Sequence, residues 1–314
     1  MAGYAGKNEH QRELEKIYNR LCYRFSRYEV WQDAIWMFAC TISNAIDQRY
    51  AEEREAQYMR IVQKYSADER ELFPRLFGSI INGMEEYPDC DFLGELYMGL
   101  ELGNKHVGQF FTPYSLCKLM ARCDIQMDVI DQEMAKHGFI SVNDCACGAG
   151  ATLVAAANYL REIGFNYQQD ALFVAQDIDS TTALMCYIQL SFLGCAGYVI
   201  IGDTLCAPQT GNVLLGEDTS RCWFTPMFFH ERWAVRRSVA QARQMFRTVT
   251  QTITQKDGHR PMFGGEAQAD AGSVHEKPVC ETPPEPVAQG PTFTVSTRKK
   301  NKGQLMFDFG EVKG

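Results

Sequence analysis

The stretch Asp144-Cys145-Ala146-Cys147-Gly148-Ala149-Gly150 decides how this chain folds. It follows a short apolar run at 139–144 and leads into an apolar, helix-periodic segment at 152–163. Glycines at such a strand-to-helix turn let the backbone pass close to a ligand and aim the helix N-terminus at it. Working outward, two further short apolar runs at 171–177 and 198–202 flank a helical stretch at 181–193. This β-α-β-α-β alternation predicts a parallel sheet covered by helices, an α/β fold of Rossmann-like type. A fourth short strand is expected at 222–224, after a glycine-containing loop, and a helix at 229–250.

Each of the first three expected strands ends at or near an acid. Asp144 closes the first, Asp177 and Asp179 the second, and Asp203 follows the third. Open α/β sheets bind ligands at the carboxyl ends of their strands, and an acid after the second strand can accept both ribose hydroxyls of a nucleoside cofactor. An NAD site is disfavoured, because the full G-x-G-x-x-G spacing is missing.

Upstream, Leu14, Ile17, Leu21 and Phe25 recur at helical spacing, as do Trp31, Ile35, Phe38 and Ile42. After about residue 252 the composition turns to Gly, Pro, Glu, Gln and Thr, which predicts disorder. The expected organisation is therefore an N-terminal helical region at 1–106, a core at 107–250 and a tail at 251–314.

The 314 residues carry a net charge of −8, which argues against tight autonomous DNA binding through a basic surface. No run of apolar residues is long enough to span a membrane. The polar start gives no secretory signal. Cys40, Cys117, Cys186 and Cys195 sit in apolar patterns, as expected of a reducing cytoplasm. Cys145 and Cys147 lack a second pair or a histidine at ligand spacing, so no metal site is expected.

Four ordered blocks resemble the N6-adenine DNA methyltransferases, especially the modification subunits of type I restriction systems. They are Gly108-Gln109-Phe110-Phe111-Thr112-Pro113, Asp144–Gly150, Gln176-Asp177-Ile178-Asp179 and Gly202-Asp203-Thr204-Leu205. Asp91-Phe92-Leu93-Gly94 is similar to the family's helical lead-in. The resemblance implies a core that binds S-adenosyl-L-methionine (SAM) and a DNA substrate. It further implies Phe111, Thr112 and Pro113 beside the methionine end of the cofactor. Asp144, Gly148 and Gly150 would line the loop, Asp177 would take the ribose and Asp203 the cofactor's adenine amino group.

The same family carries Asn/Asp-Pro-Pro-aromatic after the fourth strand, to grip a flipped adenine. This chain has none. The nearest segment is Thr225-Pro226-Met227-Phe228, which makes Thr225, Pro226 and Phe228 the candidate catalytic residues. Little follows it, so either the sheet is truncated or another chain completes it. A catalytically silent SAM-binding accessory protein is the alternative.

Arg232, Arg236, Arg237, Arg243 and Arg247 form either a phosphate-contacting or a solvated helix face. The tail segment Gln304-Leu305-Met306-Phe307-Asp308-Phe309 resembles a bacterial sliding-clamp-binding peptide.

Overall fold

The computed structural model describes residues 9–102, 111–209, 213–215, 219–257, 296–300 and 304–308. The chain divides into two compact units, Met1–Arg243 and Gln244–Gly314. Gly108, Gln109, Phe110 and Phe309 lie outside the described residues, as does the side chain of Arg247.

The first unit opens with six helices: α1 (Glu9–Leu21), α2 (Arg27–Asn44), α3 (Ala51–Val62), α4 (Ala67–Arg70), α5 (Leu72–Glu86) and α6 (Phe92–Gly99). Local chemistry marks their starts. Ser26 accepts the Glu29 N–H ahead of α2, and Ser66 and Glu69 form a reciprocal capping box at α4. Asp91 caps α6 by accepting the Gly94 N–H at 3.1 Å. The stripes expected on α1 and α2 are buried, including Leu14, Ile17, Leu21, Trp31, Ile35 and Phe38.

Then follow α7 (Tyr114–Asp124), α8 (Met127–His137), β1 (Ile140–Asp144), α9 (Ala151–Glu162), α10 (Tyr167–Asp170), β2 (Ala171–Asp177), α11 (Ser180–Phe192), β3 (Ala196–Ile201), β4 (Cys222–Phe224) and α12 (Glu231–Asp257). The sheet order is β1-β2-β3-β4. β1, β2 and β3 run parallel, with Asp144 beside Ala175 and Asp177 beside Ile201. β4 runs antiparallel to β3, with Phe224 beside Tyr198 and Cys222 beside Ile200.

The boundary expected at residue 106 does not separate two cores. Leu14, Trp31 and Leu93 belong to the same apolar cluster as Leu153, Phe173 and Tyr187. The reason lies in α11, which is buried from Thr181 through Ser191. A helix apolar on every side needs a layer over each face. The sheet covers one side, where Tyr187 meets Trp223 at 5.6 Å between ring centres, and helices cover others: Trp31 of α2 reaches Met185 Sδ at 3.4 Å and Phe77 of α5 meets Phe192 at 5.8 Å.

The two edges of the sheet differ. On β4, the buried Arg54 of α3 donates to the Cys222 carbonyl at 3.0 Å and stacks on Trp223. On β1, Ser141 and Asn143 are exposed, and among the described residues β1 pairs with β2 alone.

In the second unit, α12 ends at Asp257, past the boundary expected at 250. β5 (Ser296–Lys300) and β6 (Gln304–Asp308) pair antiparallel, with Ser296 beside Asp308 and Lys300 beside Gln304. The described residues of the stretch at 251–314, expected from composition to be disordered, are the end of α12 and this strand pair. No helix among the described residues is long and apolar enough to cross a membrane.

Candidate cofactor site

The loop between β1 and α9 is built on two glycines with positive φ, Gly148 at 52° and Gly150 at 94°. Side chains are excluded there for a second reason. A Cβ on Gly150 would lie 2.7 Å from Cys186 Sγ, and one on Gly148 would press the Phe111 ring at 3.2 Å. The loop is pinned from several directions. Asp144 accepts the Ala146 N–H at 3.1 Å and the Thr152 hydroxyl. Cys147 donates its N–H to the Gln176 carbonyl at 3.0 Å, and Gly150 donates to the Cys147 carbonyl at 2.8 Å.

Asp177 stands at the end of β2 facing this loop. Its Oδ2 accepts the Gly148 N–H at 2.8 Å, and its Oδ1 accepts the Asp179 N–H at 2.9 Å and the Thr182 hydroxyl at 3.3 Å. Asp179 is spent locally, capping α11 through the Thr182 N–H at 2.9 Å. Asp203 lies on the adjoining loop, half-buried, accepting the Leu205 N–H at 2.8 Å. A hydrogen bond from the Cys206 thiol, helped by Leu205, holds its carboxyl below the usual range. The Thr204 hydroxyl donates to the Cys145 carbonyl at 2.5 Å, which ties the third loop to the first.

The structure thus gathers Asp144, Gly148, Gly150, Asp177 and Asp203 at the carboxyl ends of three adjacent parallel strands. Phe111 joins them, its ring facing the space a Gly148 Cβ would occupy and packing tilted on Tyr97 at 5.5 Å between ring centres. Thr112 and Pro113 follow, exposed, at the start of α7.

The expected acceptor segment is elsewhere. Because β4 is antiparallel, Thr225 follows its far end, beside Gly197 at the start of β3. From Gly197 to the end of β3 at Ile201 is on the order of 13 Å at about 3.3 Å per residue. Thr225 is fully buried, and its hydroxyl donates to the Cys195 carbonyl at 2.7 Å while accepting the Gly197 N–H at 3.0 Å. Phe228 is buried too, stacked on Phe224 at 4.8 Å with the Arg237 guanidinium 4.2 Å from its ring centre. Pro226 begins a short 3-10 turn, Pro226–Phe229. These three residues close the amino end of the sheet and are not an acceptor pocket. That is a correction, and its cause is strand direction, which three residues of sequence do not encode.

The arginines of α12 also take another role. Arg232 and Arg236 both reach Asp170 Oδ1, at 2.5 and 2.9 Å. Arg236 further donates to the Gly138 and Gln169 carbonyls, and Arg237 donates to the Phe228 carbonyl. Burial lowers the pKa of Arg237 to about 10. Arg236 and Arg237 are partly buried and brace the strand starts, whereas Arg232, beside Asp170, and Arg243 stay exposed, as on a solvated helix face.

Three residues at the site escaped the sequence reading. Gln189 of α11 is fully buried and holds the Ala149 carbonyl, and Asp91 and Thr152 support the loop from neighbouring helices. A lone glutamine inside the apolar run Cys186-Tyr187-Ile188-Gln189-Leu190 was the available signal. The Cys147 thiol is pushed well above its ordinary pKa by its hydrogen bond with Cys186 and by burial.

The residues present fit SAM. α9 begins at a glycine with no side-chain cap, so the N–H groups of its first turn suit a carboxylate. The carboxylate of Asp177 retains acceptor capacity on Oδ2 beyond its three contacts, enough for a ribose hydroxyl. Asp203 offers a half-buried acceptor suited to an amino group.

Glycine loop, parallel order and acids together define a Rossmann-like core of the SAM-dependent methyltransferases, with SAM as cofactor. The chain belongs to the N-6 DNA methylase family, whose model matches residues 90–257. A solved structure from Listeria monocytogenes, described as a class I SAM-dependent methyltransferase, is 17% identical with a TM-score of 0.37. That match covers 66% of this chain and 58% of the Listeria chain. No curated protein matches.

Proposed function

We propose that this chain provides the cofactor half of an adenine-N6 DNA methyltransferase and that a partner chain completes the acceptor half. One observation carries the reading. Asp144, Asp177 and Asp203 converge at one end of the sheet, whereas Thr225 and Phe228 are consumed at the other.

When bound, SAM supplies an electrophilic methyl group on a sulfonium. The roles of the chain are to orient and to hold. Gly148 and Gly150 bring the backbone close, Asp177 takes the ribose hydroxyls and Asp203 the adenine amino group of the cofactor. The acceptor would be an adenine turned out of the duplex, which contacts not found among the described residues would have to steady. The open edge of β1 flanks the glycine loop, so a strand docked there would end beside the cofactor. Exposed edges of this kind invite pairing with another chain. A modification system, with subunits for target recognition, is the expected setting. A DNA substrate follows from the family. The clamp-like segment at 304–309 would recruit the protein to replicating DNA.

A second reading, a SAM-binding accessory protein without catalysis, is favoured by the same displacement of Thr225. Transfer of a labelled methyl group from SAM to unmethylated DNA separates the two. Incorporation recovered as N6-methyladenine, and lost in Asp203→Ala, would establish an enzyme, acting alone if the pure chain suffices. SAM binding without incorporation, with or without cell extract, would favour the accessory reading. For the tail, a peptide of residues 298–314 should bind a bacterial sliding clamp and lose binding on Gln304→Ala with Phe309→Ala. No binding at high micromolar concentration would reject that part.

A further inference from the structure

We infer that Gln189, backed by Asp91, is a positioning residue that sets the shape of the cofactor loop. The inference concerns the apo loop and rests on the SAM assignment only for its effect on affinity.

The Gln189 side chain is fully buried. Its Nε2 donates to the Ala149 carbonyl at 2.8 Å and to Asp91 Oδ1 at 2.8 Å, and its Oε1 accepts the Leu93 N–H at 3.2 Å. Both amide hydrogens are therefore used. One side chain joins α6, α11 and the loop after β1. The same peptide plane is held from its other side, since Gly150 donates its N–H to the Cys147 carbonyl at 2.8 Å. Ala149 lies between the two glycines with positive φ, the most permissive point of the loop. Orienting its carbonyl inward sets the direction of the N–H groups that follow, including the uncapped first turn of α9.

Asp91 supports this from behind. It accepts from Gln189 and from the Gly94 N–H, so the cap of α6 and the aim of Gln189 are one arrangement. Cys186, three residues before Gln189 on α11, lies under Gly150. Its packing fills space, whereas Gln189 holds a polar group at a defined angle.

The test compares wild type, Gln189→Met and Asp91→Asn by hydrogen exchange without cofactor and by SAM titration in a calorimeter. Met keeps the length and loses the donors. Asn keeps the acceptor for both N–H groups. In Gln189→Met, exchange over residues 147–152 should quicken about tenfold, the equivalent of one hydrogen bond, with β2 and β3 unchanged. SAM affinity should fall about tenfold by the same conversion. Asp91→Asn should stay near wild type in both. Unchanged exchange at 147–152, or equal loosening of β2 and β3, would overturn the inference. Should the Met variant not fold, the Gln189 side-chain amide in wild type decides: slow exchange by NMR supports the assignment and fast exchange overturns it. If wild type binds no SAM while its loop responds as described, the cofactor assignment fails and the positioning role stands.

Discussion

Replacing Thr225 by Val should lower stability and leave SAM binding intact. The two side chains are close in shape, so the change removes a hydroxyl and little else. That hydroxyl is fully buried, donates to the Cys195 carbonyl at 2.7 Å and accepts the Gly197 N–H at 3.0 Å. Valine leaves both backbone groups buried without this partner. An unsatisfied buried group costs about 1–3 kcal/mol, and a carbonyl tolerates the loss better than an N–H. Weighting the N–H as the main loss gives about 2 kcal/mol. At about 2–4 °C per kcal/mol for a unit of this size, Tm should fall by about 4–8 °C. The assays are thermal unfolding, calorimetric SAM titration and methyl transfer on one preparation. An unchanged Tm with methyl transfer abolished and SAM binding retained would refute the reasoning. Thr225 would then be an acceptor-site residue, as its place in the sequence first implied.

Other substitutions test the remaining assignments. Gly150→Ala combines a positive φ with a Cβ 2.7 Å from Cys186 Sγ, and should abolish measurable SAM binding while the helices keep their circular dichroism. Binding at wild-type affinity would dissociate the loop from the cofactor. Asp170→Ala releases Arg232 and Arg236 together and should cost roughly 1–2 kcal/mol in urea unfolding, less at high salt. Loss of DNA association with unchanged stability would return those arginines to the phosphate. Asp91 supplies a pH test, because burial raises its carboxyl above the ordinary 3.8. The folded state then holds the proton more tightly than the unfolded chain. Its contribution is full below the unfolded pKa and is lost as pH rises through the folded one. Asp91→Asn removes that dependence, so its stability relative to wild type should grow from mildly acidic to neutral pH in urea titrations. A constant difference across that range would contradict the buried, cation-free setting.

Much of the core could be read from the chain alone, since its signals are local. Strands β1, β2 and β3 were visible as short apolar runs, and the run at 171–177 coincides with β2. Gly148 and Gly150 announced a tight turn, and the acids after each strand announced a ligand at one end of the sheet. Parallel connections through a helix leave little choice of direction, so Asp144, Asp177 and Asp203 had to fall together.

Tertiary structure alone decided the rest. The direction of β4 depends on how a loop crosses the sheet, and that reversal carried Thr225, Pro226 and Phe228 away from the cofactor end. The shared core arose because α11 is apolar on every side, so the N-terminal helices had to cover what the sheet could not. The fate of Arg232 and Arg236 hinged on Asp170, more than sixty residues away in the chain. Gln189 shows the same division: its sequence marks it as a polar residue in an apolar helix, yet only packing brings it to the Ala149 carbonyl. Periodicity and turn chemistry are set by near neighbours, whereas strand direction and buried polar pairing are set by whatever the folded chain places across the gap.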